Sequence, residues 1–232
     1  VNSEAVSKLN SDLAYIGTEE YSKSKELELQ LATEENTCYF LYVSKDLPKE
    51  LRKALLKSVN TNSLASILGE NSKVANSIYP ASLRLTDIEK PNSIISYNLE
   101  EALGLYNTAL KNSKKNLPDI TLKFFGDSVT EDVSKAIAAH WQKNLGKFIN
   151  IEKVDSLSEI KSLYTFSENT VLLLPFHTLC GSWSTYLSEF GIRNQTPNNA
   201  QKMILSNYTM LPVYFSNSYI IANEYITNLD LT

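Results

Sequence analysis

The sequence predicts an α/β fold, a mixed β-sheet flanked by helices, and three observations carry that expectation. Apolar spacing switches repeatedly between a period of two and a period near 3.6 along the chain. Two runs, Cys38 to Val43 and Thr170 to Phe176, are apolar almost throughout and read as strands buried on both faces. A strand, a helix and a second strand follow one another over residues 120–154, a βαβ unit whose crossover is expected to be right-handed. The length, 232 residues, lies between one large α/β unit and two small ones.

Taken in order, residues 3–16 read as an amphipathic helix with Ala5, Val6, Leu9, Leu13 and Ile16 on one face. Glu26 to Leu31 alternates polar and apolar, a strand with one wet face. The polar Thr33-Glu-Glu-Asn36 reads as a turn into the aromatic strand 38–43. Asp46 is placed to cap a helix with Pro48 in its first turn, and Leu51, Ala54, Leu55 and Val59 give that helix its buried face. A short helix over 62–68 is closed by Gly69. The segment 70–98 reads as a loop, long enough to carry function or wrap a neighbour. Asn98-Leu-Glu-Glu101 resembles a capping box opening a helix to about Asn112. Ile120 to Phe125 alternates as a strand. Ser128-Val-Thr-Glu131 is a second capping box, for a helix burying Val133, Ile137, Trp141 and Leu145. Phe148 to Val154 is a strand, and Ser156 or Ser158 starts a short helix. Asn199 to Asn207 reads as a helix. Met210 to Phe215 and Tyr219 to Ala222 read as a hairpin turning at Ser216-Asn217.

Composition removes several function classes. The seven glycines never lie closer than ten residues apart, so neither a dinucleotide fingerprint nor a phosphate-binding loop is present. Lys and Arg number 22 against 26 Asp and Glu, with no basic cluster of the kind nucleic-acid binders show. Two histidines, His140 and His177, leave little for metal or acid–base chemistry, so no cofactor and no metal site are expected. His177 and Cys180 form H-x-x-C. A Cys–His nucleophile also needs an orienting group and an oxyanion donor, and a zinc site needs two more ligands; neither set is signalled. The longest uninterrupted apolar run is about five residues, far short of the roughly 20 that cross a bilayer. The start at Val1, without Met or an apolar leader, reads as a removed signal peptide or an excised piece.

Six stretches from residue 26 onward resemble, in order, the bacterial extracellular solute-binding proteins of the oligopeptide type. They are Tyr39-Phe-Leu-Tyr-Val-Ser44, Leu51-Arg-Lys-Ala-Leu55, Ser77-Ile-Tyr-Pro-Ala81, Leu99-Glu-Glu-Ala-Leu103, the span from Leu117 through Ala139-His-Trp-Gln-Lys-Asn-Leu-Gly146 to Val154, and Ala200 to Phe215. In the fifth, tryptophan, lysine, asparagine and glycine fall in the family's register. The resemblance implies one lobe of a periplasmic-binding-protein-like fold of the oligopeptide-binding type. Residues 1–232 would form a single C-terminal lobe whose N-terminal lobe lies outside this chain. It implies a substrate-binding component of an ABC importer that captures oligopeptides or related small solutes by clamp closure, without catalysis. Its partners would be the ligand, the second lobe and a membrane permease, and its place extracytoplasmic, as a cell-surface lipoprotein or in a periplasm. The alternatives are the same fold with a metal chelate, a sugar or a signalling peptide as ligand, or a surface interaction module outside transport.

The resemblance also points to residues. Trp183, in Cys180-Gly-Ser-Trp183, stands where the family has a cleft-lining tryptophan, although packing in the lobe core is the competing reading. The family's peptide binders follow that tryptophan with an Asp for the ligand's amino group; here Ser184-Thr-Tyr186 stands instead. Tyr186 is expected at the cleft. Tyr39 and Tyr42 flank Phe40 and are read as sharing one face, open to cleft or core. His177 is taken as the histidine near the cleft. Trp141 is expected in the core and His140 in solvent. Cys38 and Cys180 fall in or beside strands that the family places in one sheet, so a disulfide between them is expected. Gly191 to Ala200 is shorter than the corresponding family excursion.

Overall fold

The computed structural model describes residues 13–16, 30–69, 72–89, 95–114, 116–166, 169–178 and 182–222. Two long antiparallel strands form the spine of its sheet: β2 (Gln30–Val43) and β7 (Met210–Ala222). On the far side of β7 lie two short strands, β1 (Leu13–Ile16) and β3 (Ser72–Val74), both antiparallel to it. On the far side of β2 lies β6 (Val171–His177), antiparallel, followed by β4 (Thr121–Phe124) and β5 (Asn150–Lys153), which run parallel to β6. The order β1-β7-β2-β6-β4-β5, with β3 beside β7, is the mixed sheet the sequence predicts.

Helices cover both faces. Helix α1 is Lys49–Lys57 and α2 is Ala65–Leu68, ended by Gly69 at φ 66°. Helices α3 (Leu99–Asn112) and α4 (Ser128–Leu145) follow, the latter ended by left-handed Gly146. Helices α5 (Leu157–Phe166), α6 (Trp183–Ser188) and α7 (Pro197–Ser206) complete the described set. The β4–α4–β5 unit has the parallel pairing expected of it, and α5 returns the chain from β5 past β4 to β6.

Several local expectations change. Leu13–Ile16 is a strand, because Leu13 to Ile16 pair with Ala222 to Tyr219 in a ladder of apolar and aromatic residues; the remainder of the expected first helix lies outside the described residues. No turn forms at Thr33–Asn36 and no hairpin at Ser216–Asn217. The two polar runs lie opposite each other, Glu34 against Ser218 and Glu35 against Asn217. Each reads alone as a turn; paired, they form the polar middle of one continuous ribbon. The irregularity survives as a register shift between Glu35 and Thr37. A second shift sits beside Pro212, where a residue without an N–H costs the ladder least.

Two of the helix caps shift by one or two residues. Asp46 does not cap α1; Pro48 occupies that position without a side-chain bond. Leu51, Leu55 and Leu56 are fully buried instead, at about 2 kcal/mol each, against about 1 kcal/mol for a cap. Packing therefore holds α1. Asp127, not Ser128, caps α4, accepting from Thr130 N at 3.0 Å. Asn98 caps α3 as expected, accepting from Glu101 N at 3.0 Å.

The C-terminal carbonyls of α1 are met by its neighbours. Trp141 Nε1 donates to Leu55 O, Asn144 Nδ2 to Ser58 O and Asn98 N to Lys57 O, at 2.8, 2.8 and 3.0 Å. Trp141 is fully buried, as expected. His140 is not free in solvent: it is half-buried with Nε2 3.1 Å from Ser63 Oγ. The segment 72–89 is also no open loop. Besides β3, it is pinned by the buried Gln201, which accepts from Ile78 N at 2.9 Å and donates to Glu89 O.

Candidate functional site

The parallel strands β4 and β6 present their carboxyl ends at one edge of the sheet, the edge where α/β folds hold ligands. Five residues separate the end of β6 from α6, which begins at Trp183. Trp183 is partly buried, packed against the core from one side, and its other side lines an open groove. The groove has a volume of about 440 Å³, within the usual range for small-molecule sites. Leu187 and Ile192 give it an apolar floor, and Ser184, Thr185, Arg193, Asn194 and Gln195 give it polar walls. Asn194 adopts φ 55°, a left-handed conformation that asparagine tolerates, which turns the chain back across the groove before α7.

The other predicted site residues separate. Tyr186 points inward. It is 2% exposed, donates its hydroxyl to Ile78 O at 2.7 Å and meets Phe190 edge-on, with Cys38 beside it. Burial, and then the neighbouring Cys38, push its hydroxyl well above the ordinary tyrosine range. Tyr39 and Tyr42 do not share a face, because three residues on a strand reverse the side. Tyr39 stacks on Tyr214 at 4.3 Å, on the face that α4 covers through Thr130. Burial and the charge of Asp127 push Tyr39 up to about 12. Tyr42 lies on the opposite face, edge-on to Tyr164 of α5 at 4.8 Å, with Phe40 and Phe176 in the same aromatic cluster. Cys38 is fully buried; Cys180 lies outside the described residues.

His177 closes a buried polar chain at the end of β6. Its Nδ1 is 2.8 Å from Thr37 Oγ1, and that hydroxyl donates to Asn36 Oδ1 at 3.0 Å. The hydroxyl proton is thus committed, so Nδ1–H donates to Thr37. Thr178 continues the chain, donating from N and Oγ1 to Asn36 O and meeting Ser82 Oγ at 2.7 Å. Burial first, and then Lys161, hold the His177 imidazole below its ordinary range, so it is neutral.

Sequence reasoning missed Arg193, Asn194 and Gln195 as groove residues and α6 as a helix. The signal available was Gly191-Ile-Arg-Asn-Gln-Thr-Pro197, whose Gly and Asn mark a chain reversal. Among the described residues, no group of three or more His, Cys, Asp or Glu side chains is arranged to hold a metal ion, and no helix is long and apolar enough to cross a membrane.

No protein-family model matches the chain, and no curated protein matches it. Solved structures do. A periplasmic oligopeptide-binding protein of an ABC transporter from Borrelia burgdorferi superposes with a TM-score of 0.67 at 15% identity, over 95% of this chain and 51% of that one. The Escherichia coli murein tripeptide-binding protein gives 0.67 at 17%, over 96% and 51%. The Listeria monocytogenes oligopeptide-binding protein, solved with peptide, gives 0.65 at 17%, over 97% and 52%. The chain therefore has the fold of one part of the oligopeptide-type solute-binding proteins and spans about half the length of these neighbours.

Proposed function

We propose that this chain is the C-terminal lobe of a two-lobe, extracytoplasmic receptor that delivers oligopeptides or related small solutes to an ABC permease. The observation that carries the reading is the pairing of the fold match, confined to half of peptide-binding neighbours, with a groove walled by Trp183 at the carboxyl edge of the sheet. One lobe supplies one wall. Ligand held between two walls stabilises the closed form, and the permease reads that form. Trp183 is the contact we assign to the ligand. Tyr186, Tyr39, Tyr42 and His177 make their hydroxyl and ring contacts within the lobe itself. The role needs no bond-making chemistry. A polar wall suits ligand capture by hydrogen bonds to peptide backbone, which tolerates many side chains.

Equilibrium dialysis of the complete receptor against a mixed pool of short peptides tests this, with retained peptides identified by mass spectrometry. Retention by the receptor and its loss in Trp183→Ala, at unchanged thermal stability, is expected. A correctly folded receptor that retains no peptide, or retains the same peptides without the indole, sinks the proposal.

A further inference from the structure

Among the described residues, the groove beside Trp183 has one charged side chain on its lining, and that charge is positive. Arg193 stands exposed at its mouth, and Asn194 and Gln195 follow it along the wall. Among the described residues none of the three side chains makes a hydrogen bond or ion pair, so their donors are uncommitted. Among the described residues no carboxylate lines the groove. The nearest one in sequence, Glu189, is exposed, and Lys161 of α5 acts on it.

From this charge complementarity, and resting on the role proposed above, we infer that the groove takes the carboxylate-bearing end of its ligand. That end is a peptide's C-terminus or an acidic side chain. Arg193 pairs with the carboxylate, a planar fork on a planar anion. The amides of Asn194 and Gln195 flank it, and the Trp183 indole covers the adjoining apolar body. An α-ammonium group would meet Arg193 with no carboxylate to offset it.

The chain carries its own control for the test. It has two tryptophans, and the Trp141 indole is buried and donates to Leu55 O, so only the Trp183 indole can answer a ligand in the groove. In ¹⁵N-labelled chain the two indole N–H signals are followed by NMR while tri-alanine, tri-alanine amide or alanyl-glutamyl-alanine amide is added into the tens of millimolar. The Trp183 signal is expected to move, the Trp141 signal to stay, and tri-alanine to bind roughly three- to tenfold more tightly than its amide. If the glutamyl amide recovers that affinity, an acidic side chain serves; if not, the groove requires the terminus. Arg193→Gln is expected to erase the preference, and Arg193→Lys to keep part of it. Equal binding of acid and amide, or a preference that survives Arg193→Gln, overturns the carboxylate inference and leaves the ligand wall standing. No movement of the Trp183 signal with any of the three peptides overturns both.

Discussion

Gly126 leaves no room for a side chain. A Cβ there would lie 2.4 Å from Thr130 Oγ1, and its φ of +156° already disfavours other residues. Thr130 cannot simply turn away, because its hydroxyl donates to Asp127 at 2.9 Å and meets Tyr214 Oη at 3.0 Å, tying the start of α4 to the sheet. Gly126→Ala is expected to cost about 2 kcal/mol in urea unfolding; a loss below about 0.5 kcal/mol would mean that Thr130 rotates freely. His177 and His140 give a pH signature. Both are held neutral by burial, so the unfolded chain binds more protons below about pH 6.5. Stability is therefore complete above that pH and declines as pH falls through the unfolded value toward the lowered folded values. The melting temperature should drop between pH 7.5 and 5.5, and His177→Gln with His140→Gln should flatten the profile. The sequence made Trp141 legible as core through helical spacing. It gave no access to the partner of His177, since Thr37 lies 140 positions away.

At the scale of elements, caps and spacing were legible to within two or three residues, and chain reversals were not. Asn98 caps α3 in the predicted place, and Asn98→Ala should cost about 1 kcal/mol. The loss should not be much smaller, because α3 buries only Ala102, Tyr106 and Ala109 and leans on its first turn more than α1 does. Trp141→Phe keeps most of the volume but removes the donor to Leu55 O, leaving a buried carbonyl with Ser58 Oγ as its remaining side-chain donor. A loss of about 1–2 kcal/mol, read by thermal unfolding, is expected. The two misread turns have one cause. Glu34 and Glu35 pair with Ser218 and Asn217 within the ribbon, and a polar run has the same local appearance whether the chain turns or continues.

At the scale of the molecule, half a cleft should bind like half a cleft. The isolated chain is expected to hold short peptides only in the millimolar range, because one wall leaves much of the ligand in water; calorimetry showing micromolar binding would contradict the two-lobe reading. What the sequence determined by itself is what short-range physics writes into it. Buried strands show as unbroken apolar runs, amphipathic helices as a period of 3.6, a βαβ unit as their succession, and the absence of nucleotide loops as the spacing of seven glycines. The order of six familiar stretches pointed to the fold that the solved neighbours share. Tertiary structure alone decided which face each tyrosine takes, that 33–36 continues as strand, and that Arg193 joins Trp183 across a reversal of the chain. These depend on partners far away in sequence, and no local pattern encodes which distant residue will supply the other half of a ladder, a hydrogen bond or a wall.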